Sequence, residues 1–343
     1  MNGKLLLILS FLILIILFAG CTSKNENVVP PHLVTTPSVN VGVTPTAVSS
    51  FHTLIVEPDD GKSDVISAIN GAKSNVTLTI YELTDSDIVT AIVNAKQRGV
   101  DVRVIYNSAS FGKDNPNTKL ILILNNTGIK TKPASPTFEV THQKTLVVDN
   151  SEAIIMTFNL EPEYFKTTRD FAVVTTNPDE IQEIETVFNA DWNYQKVTPS
   201  YDSLVWSPTN SRDKITGVIN GATKTLDVYN EEITDSDIVT ALLNAEKRGV
   251  NVRIIAADLE SGGRNENTPA LKQMSDSGVQ TKVITSLYIH AKVIVADDNI
   301  AYVGSENFGK VSLDRNRELG IIVSDRLILD KLEETFNHDW NGL

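Results

Sequence analysis

The chain contains a single cysteine, Cys21, and only five histidines among 343 residues. One cysteine excludes an intrachain disulfide framework, so the folded part must be held by its apolar cores. A 41% hydrophobic content and a length sufficient for two ordinary domains make that feasible. Basic residues are in deficit as well: 30 Lys and Arg stand against 43 Asp and Glu, a formal net charge of −13. An acidic surface repels phosphate backbones, which weighs against nucleic acid as a preferred partner while leaving room for a local basic pocket. Long apolar runs are also missing. The longest, residues 5–18, falls short of the ~20 residues that a full membrane span needs.

That run has a context. Lys4 precedes it, and it leads into Leu17-Phe18-Ala19-Gly20-Cys21, which resembles the lipobox of a lipoprotein signal peptide covering residues 1–20. The resemblance implies a lipid anchor on Cys21 after cleavage before it; the alternative is an uncleaved N-terminal membrane helix. Either way the remainder is expected at the extracytoplasmic face of the cell membrane. Residues 21–50, rich in Pro, Thr, Val, Ser and Asn and without helical or strand period, read as a flexible tether.

After the tether the sequence repeats itself. Thr84-Asp85-Ser86-Asp87-Ile88-Val89-Thr90-Ala91 recurs unchanged as Thr234-Asp235-Ser236-Asp237-Ile238-Val239-Thr240-Ala241, an offset of 150. Phe188-Asn189-Ala190-Asp191-Trp192 matches Phe336-Asn337-His338-Asp339-Trp340 at an offset of 148. A unit this long is a duplicated domain, residues 51–196 and 197–343, rather than a solenoid. Within the first copy, residues 76–81 are β-rich, Asp85 is a candidate N-cap for a helix with Ile88, Ile92 and Ala95 on one face, Gly99 stops it, and residues 100–106 alternate as a strand. Further strands are expected at 144–148, 153–156 and 171–175, then a closing helix over 178–192. The order predicts an α/β fold with a parallel or mixed sheet in each half.

Chemistry concentrates in one block of each copy. His142, Lys144, Asp149, Thr157 and Asn159 recur as His290, Lys292, Asp297, Ser305 and Asn307, all at the offset of 148 that the closing helix sets independently. Residues two apart on a strand share a face, so each histidine is expected to present its imidazole beside the lysine ammonium, a phosphate-handling pair. His32, His52 and His338 lack such partners and read as structural or solvated. Trp192 and Trp340, four residues after Phe188 and Phe336, read as core. Asp59-Asp60 and Asp297-Asp298 lack the further ligands that a metal site requires and read as turns.

H-x-K-x4-D followed by G-S-x-N resembles the signature of the phospholipase D superfamily, present twice and in register from Phe51 to the C-terminus. The second copy is fuller, adding Ser312, Asn316 and Glu318; the first has Met156 for Gly, Thr157 for Ser and Asp170 for Glu. The resemblance implies a duplicated fold with two sheets flanked by helices, a pseudo-two-fold axis and one active site at the interface. It implies phosphodiester cleavage or transfer with no cofactor and no metal: attack by His142 on phosphorus, proton donation by His290, and oxygens held by Lys144, Lys292, Asn159, Asn307, Thr157 and Ser305. Asp149 and Asp297 complete the catalytic motif by fixing it, and Asp170 and Glu318 orient the histidines. The expected partner is a phospholipid or another phosphodiester; the alternative readings are a nuclease of the same superfamily and a non-catalytic surface module that binds a phosphate ligand. Met156 raises the question of how closely that backbone can approach a phosphate, and no specificity code is readable around 108–118 or 258–268.

Overall fold

The computed structural model describes residues 50–108, 115–258, 260–261 and 264–343. Residues 1–49, with the leader, Cys21 and nearly all of the tether, lie outside the described residues, as do parts of the loops around 108–118 and 258–268.

The first half runs β1 (His52–Glu57), α1 (Ser63–Gly71), β2 (Asn75–Ile80), α2 (Ser86–Gln97), β3 (Asp101–Tyr106), α3 (Thr118–Asn126), β4 (Lys130–Pro133), β5 (Thr145–Val148), β6 (Glu152–Met156), β7 (Thr168–Thr175) and α4 (Pro178–Trp192). The second runs β8 (Leu204–Ser207), α5 (Ser211–Gly221), β9 (Thr225–Asn230), α6 (Ser236–Lys247), β10 (Asn251–Ala257), the short pair β11 (Glu260–Ser261) and β12 (Arg264–Asn265), α7 (Thr268–Asp276), β13 (Gln280–Ile284), β14 (Tyr288–Ile289), β15 (Lys292–Ala296), β16 (Ile300–Gly304), α8 (Lys310–Asp314), β17 (Glu318–Val323) and α9 (Arg326–Gly342). The elements expected from periodicity are present. Asp85 caps α2 by accepting from the N–H groups of Asp87 and Ile88, and Asp235 does the same for α6. Gly99 and Gly249 follow these helices in the left-handed region, at φ 97° and 88°.

The strand order is β1-β7-β6-β5-β2-β3-β4 in one sheet and, read from the equivalent edge, β8-β17-β16-β15-β9-β10-β13 in the other. Both are mixed: β2, β3 and β4 run parallel, as do β9, β10 and β13, and the remaining pairs of those two orders are antiparallel. Each half has an outer core beneath its own helices, one including Val65, Ile88, Ile92 and Met156 and the other Ile215, Ile238, Leu242 and Tyr302. A third core lies between the halves and joins Phe171, Ile181 and Val187 to Trp206, Tyr229 and Phe336.

The chain also crosses between its halves. β14 belongs to the second half, yet it pairs in parallel with β7 of the first, Ile289 opposite Arg169. Thr141 makes the mirror bridge to Arg317. Both arginine side chains are buried and reach the closing helix of the opposite half. Arg169 grips Asp339 through Nε and Nη2 (2.7 and 3.0 Å), and Arg317 donates to Asp191 at 2.9 Å. Among the described residues no helix is long and apolar enough to cross a membrane.

Candidate active site

The strand alternation expected for His142 and Lys144 does not occur. His142 lies before β5, and His290 between β14 and β15. Two successive N–H groups, of His142 and Gln143, converge on the Arg317 carbonyl at 2.9 and 3.0 Å; those of His290 and Ala291 converge on that of Arg169 at 3.2 and 3.0 Å. A strand points consecutive N–H groups to opposite sides, so this pattern breaks it. The lysines restore proximity by folding back: Lys144 Nζ donates to the His142 carbonyl at 2.6 Å, and Lys292 Nζ to the His290 carbonyl.

His142 and His290 line one cavity of about 280 Å³ together with Tyr81, Glu82, Asn159, Tyr164, Glu231, Asn307, Ser312, Asn316 and Glu318. Each imidazole is oriented by the other half: His142 Nδ1 lies 2.8 Å from Glu318 Oε2, and His290 Nδ1 lies 2.9 Å from Asp170 Oδ1. A carboxylate at Nδ1 fixes that nitrogen as the protonated one and leaves Nε2 for chemistry. The carboxylates are themselves held. Glu318 accepts from Ser312 (2.5 Å) and Asn316 (3.0 Å), and Asp170 from Thr157 (2.6 Å) and Thr168 (2.7 Å). Tyr81 and Tyr164 stand edge-on to His142 and His290, each with ring centres 4.7 Å apart.

The two motifs differ in charge. Desolvation, followed by the neighbouring Lys144, lowers the His142 pKa to about 4, against the opposing pull of Glu318. Burial likewise lowers Lys144 to about 7. His142 is therefore a neutral imidazole at neutral pH. His290 is bracketed by carboxylates instead, with Asp170 at Nδ1 and Glu231 3.6 Å from Nε2. Burial alone raises the Glu231 pKa, but Lys292 and His290 outweigh it and hold the group firmly ionised.

Asn159 and Asn307 line the cavity; each Nδ2 donates once, to the Tyr164 hydroxyl and to Glu231 (both 3.3 Å), and has a second N–H to offer a ligand oxygen, while each buried Oδ1 is without a hydrogen-bond partner. Thr157 and Ser305 do not reach it. Both are fully buried, and their hydroxyls accept from the N–H groups of Phe171 and Leu319, which ties the sheet; the Thr157 hydroxyl donates to Asp170, the carboxylate beside His290. Asp149 and Asp297 lie at the far ends of β5 and β15 and touch no group of the cavity. Asp149 accepts from the N–H groups of Lys73, Ser74 and Asn75, and Asp297 from those of Thr223, Lys224 and Thr225. Burial opposes their ionisation, but these donors lower both pKa values to about 2. With φ near +54° they also begin tight turns. They anchor the motif's strand and have no catalytic contact.

Met156 turns away from the site into the outer core with Ile154 and Phe158. Its counterpart Gly304 is confined by a different cluster: a Cβ there would lie 2.6 Å from both Glu306 and the Gly320 backbone. The substitution thus exchanges a buried polar cluster for an apolar one and leaves the phosphate approach alone. Sequence reasoning passed over Tyr81, Tyr164, Tyr288, Glu231 and the arginine pair. The repeat offset itself flags all of these but Tyr288: Glu231 occupies the position of Tyr81, Tyr164 that of Ser312, and Arg317 that of Arg169. Among the described residues no cluster of three or more His, Cys, Asp or Glu side chains is arranged to hold a metal ion.

The family model described as "Cardiolipin synthase, PLD-like domain" matches residues 65–192 and again 215–340. Cardiolipin synthase 2 of Bacillus cereus is 21% identical over 318 residues, 80% of this chain and 62% of that protein. Cardiolipin synthase of Listeria monocytogenes is 22% identical over 329 residues, 83% of this chain and 68% of that one. The chain thus spans about 62% of the length of the Bacillus relative. Phosphatidylserine synthase of Haemophilus influenzae has a similar fold, with a TM-score of 0.67 at 14% identity over 84% of this chain and 85% of that one. Polyphosphate kinase of Porphyromonas gingivalis aligns at a TM-score of 0.68 and 18% identity, covering 84% of this chain and 47% of that one.

Proposed function

Because both halves of the chain belong to the phospholipase D superfamily, we propose that it is a metal-independent phosphodiesterase that hydrolyses or transfers phosphatidyl groups through a phosphohistidine intermediate. One observation carries the reading: two imidazoles from different halves line a single cavity, each held at Nδ1 by a carboxylate of the opposite half.

Cleaving a phosphodiester requires a nucleophile for phosphorus, cations and donors for the non-bridging oxygens, and an acid for the leaving alkoxide. His142, neutral through its lowered pKa, attacks with Nε2 and forms the P–N bond. The P–O bond to the leaving alcohol breaks, and His290 Nε2 gives that oxygen its proton. A water or acceptor alcohol then attacks phosphorus, returns a proton to His290 and frees His142. Lys144, Lys292, Asn159 and Asn307 hold the oxygens throughout.

Glu82, Glu231 and Glu232 line the cavity. Their charge adds to the overall acidity in disfavouring a polyanion such as nucleic acid. The lipobox at Cys21 supports a protein tethered beside its lipid substrate on the extracytoplasmic membrane face.

The test is release of headgroup from phosphatidylglycerol vesicles, with and without EDTA, beside a single-stranded DNA control. EDTA-resistant headgroup release is expected, with turnover abolished in both His142→Ala and His290→Ala. Loss of activity on chelation removes the metal-free mechanism, and cleavage of DNA alone makes the protein a nuclease.

A further inference from the structure

Glu231 sits where the second motif would grip a phosphate. It directly follows β9, at the position that Tyr81 takes after β2 in the first half. Its carboxylate accepts from Lys292 Nζ at 2.8 Å, from Tyr288 Oη at 2.8 Å and from Asn307 Nδ2 at 3.3 Å, and lies 3.6 Å from His290 Nε2. Histidine, lysine and asparagine of one motif thus converge on an anion supplied by the chain itself. In the first motif Tyr81 contributes a ring: its face lies 5.2 Å from Lys144 Nζ, and among the described residues no carboxylate pairs with that ammonium. One half of the site is open to an anion and the other is filled.

We propose that the Glu231 carboxylate is a tethered competitor for the phosphate position of the second motif, displaced when a phosphodiester binds. The inference rests on the reading that this motif takes a phosphate. A phosphodiester and a carboxylate cannot share Lys292 and Asn307 without bringing two negative charges together in a largely buried site. Substrate binding therefore exchanges one anion for another, which raises KM and reserves the complete cation set for a ligand that can expel Glu231. Removing the charge while keeping the shape should relieve this.

Glu231→Gln keeps a hydrogen-bonding side chain, and Glu231→Tyr copies the first half. The measurement is the calorimetric dissociation constant of inorganic phosphate, which needs no turnover, with melting temperatures to show that each variant is folded. Both variants are expected to bind phosphate roughly tenfold or more tightly than the unaltered protein, the scale of one like-charge contact removed from a poorly solvated site, and to show a lower KM wherever turnover is seen. Unchanged or weaker phosphate binding in the folded variants overturns the proposal and leaves Glu231 as a prop for Lys292. Tighter binding without headgroup release sustains it and removes the enzymatic reading instead.

Discussion

The His142 side chain is set apart from an ordinary histidine by what surrounds it. Withdrawal from water and the Lys144 ammonium hold its pKa down at about 4, and burial holds Lys144 at about 7. The signs give a window. Protonating His142 removes the nucleophile, so kcat/KM falls as pH drops through about 4; deprotonating Lys144 removes a phosphate-holding cation, so it falls again as pH rises through about 7. A pH profile of kcat/KM reads both limbs. Lys144→Arg, whose charge does not titrate in this range, should shift the basic limb upward; an acid limb at 6.5 or above contradicts a neutral, shielded His142. The same logic applies to its orienting group. Glu318→Gln keeps a polar side chain beside Nδ1 but presents an amide to it, freeing the imidazole to take the wrong tautomer. A fall in kcat of ~10²–10⁴-fold with little change in melting temperature is expected, and unaltered kcat would show that Glu318 merely neighbours the histidine.

Among the elements, those read from periodicity are local: the α2 helix with its Asp85 cap, the β3 alternation and the α4 helix ending in stacked Phe188 and Trp192 all follow from neighbours within one turn or pleat. The repeat offset carried the site further, since the 148-residue spacing paired His142 with His290 and Asn159 with Asn307 before any contact was known. Cross-half contacts have no such local signature. Nothing in Tyr288-Ile289 announces that this short strand joins the other half's sheet, or that Arg169 and Arg317 use their carbonyls to hold the opposite histidines. That arrangement explains why the His-x-Lys alternation failed as a strand. It also yields a prediction: Asp339 is fully buried and accepts from Arg169 twice and from the Tyr229 hydroxyl. Asp339→Ala takes the two buried carboxylate bonds from a buried guanidinium and leaves it only the exposed Asp59 carboxylate at 3.2 Å and the Glu57 carbonyl at 2.8 Å, so a loss of ~3 kcal/mol in denaturant unfolding is expected. Because the same arginine holds the His290 backbone, residual kcat of the folded fraction should fall too. Full activity per folded molecule would confine Asp339 to stability alone.

On the scale of the whole molecule, stability and charge pull in the same direction with pH. Glu57 and Glu306 are fully buried, and desolvation first, then neighbouring carboxylates (Asp170 for Glu57, Glu318 for Glu306), raises each to a pKa of about 8. In the unfolded chain both would titrate near 4.5. Between these values the native state keeps protons that the unfolded state has lost, so each group disfavours folding progressively as pH rises, by about 1.4 kcal/mol per unit. His52, raised by Glu180 and Asp325 against the opposing effect of its own burial, acts in the same sense above its ordinary value. His142 works the other way, but only between about 4 and 6.5, and Lys144 only above about 7. Self-repulsion of a net charge of −13 also grows as carboxylates and then histidines deprotonate. At the acid end Asp149 and Asp297, with pKa values of about 2, lose their contribution once pH drops below the unfolded value and toward 2. The balance sets a stability maximum on the acid side of neutrality: melting temperature should rise from pH 3 to about 5 and decline toward pH 8. Glu306→Gln, which keeps a neutral partner for the Tyr302 hydroxyl, should flatten the decline; a melting temperature higher at pH 8 than at pH 5 would mean that these two buried carboxyls are ionised in the native state and paired with cations.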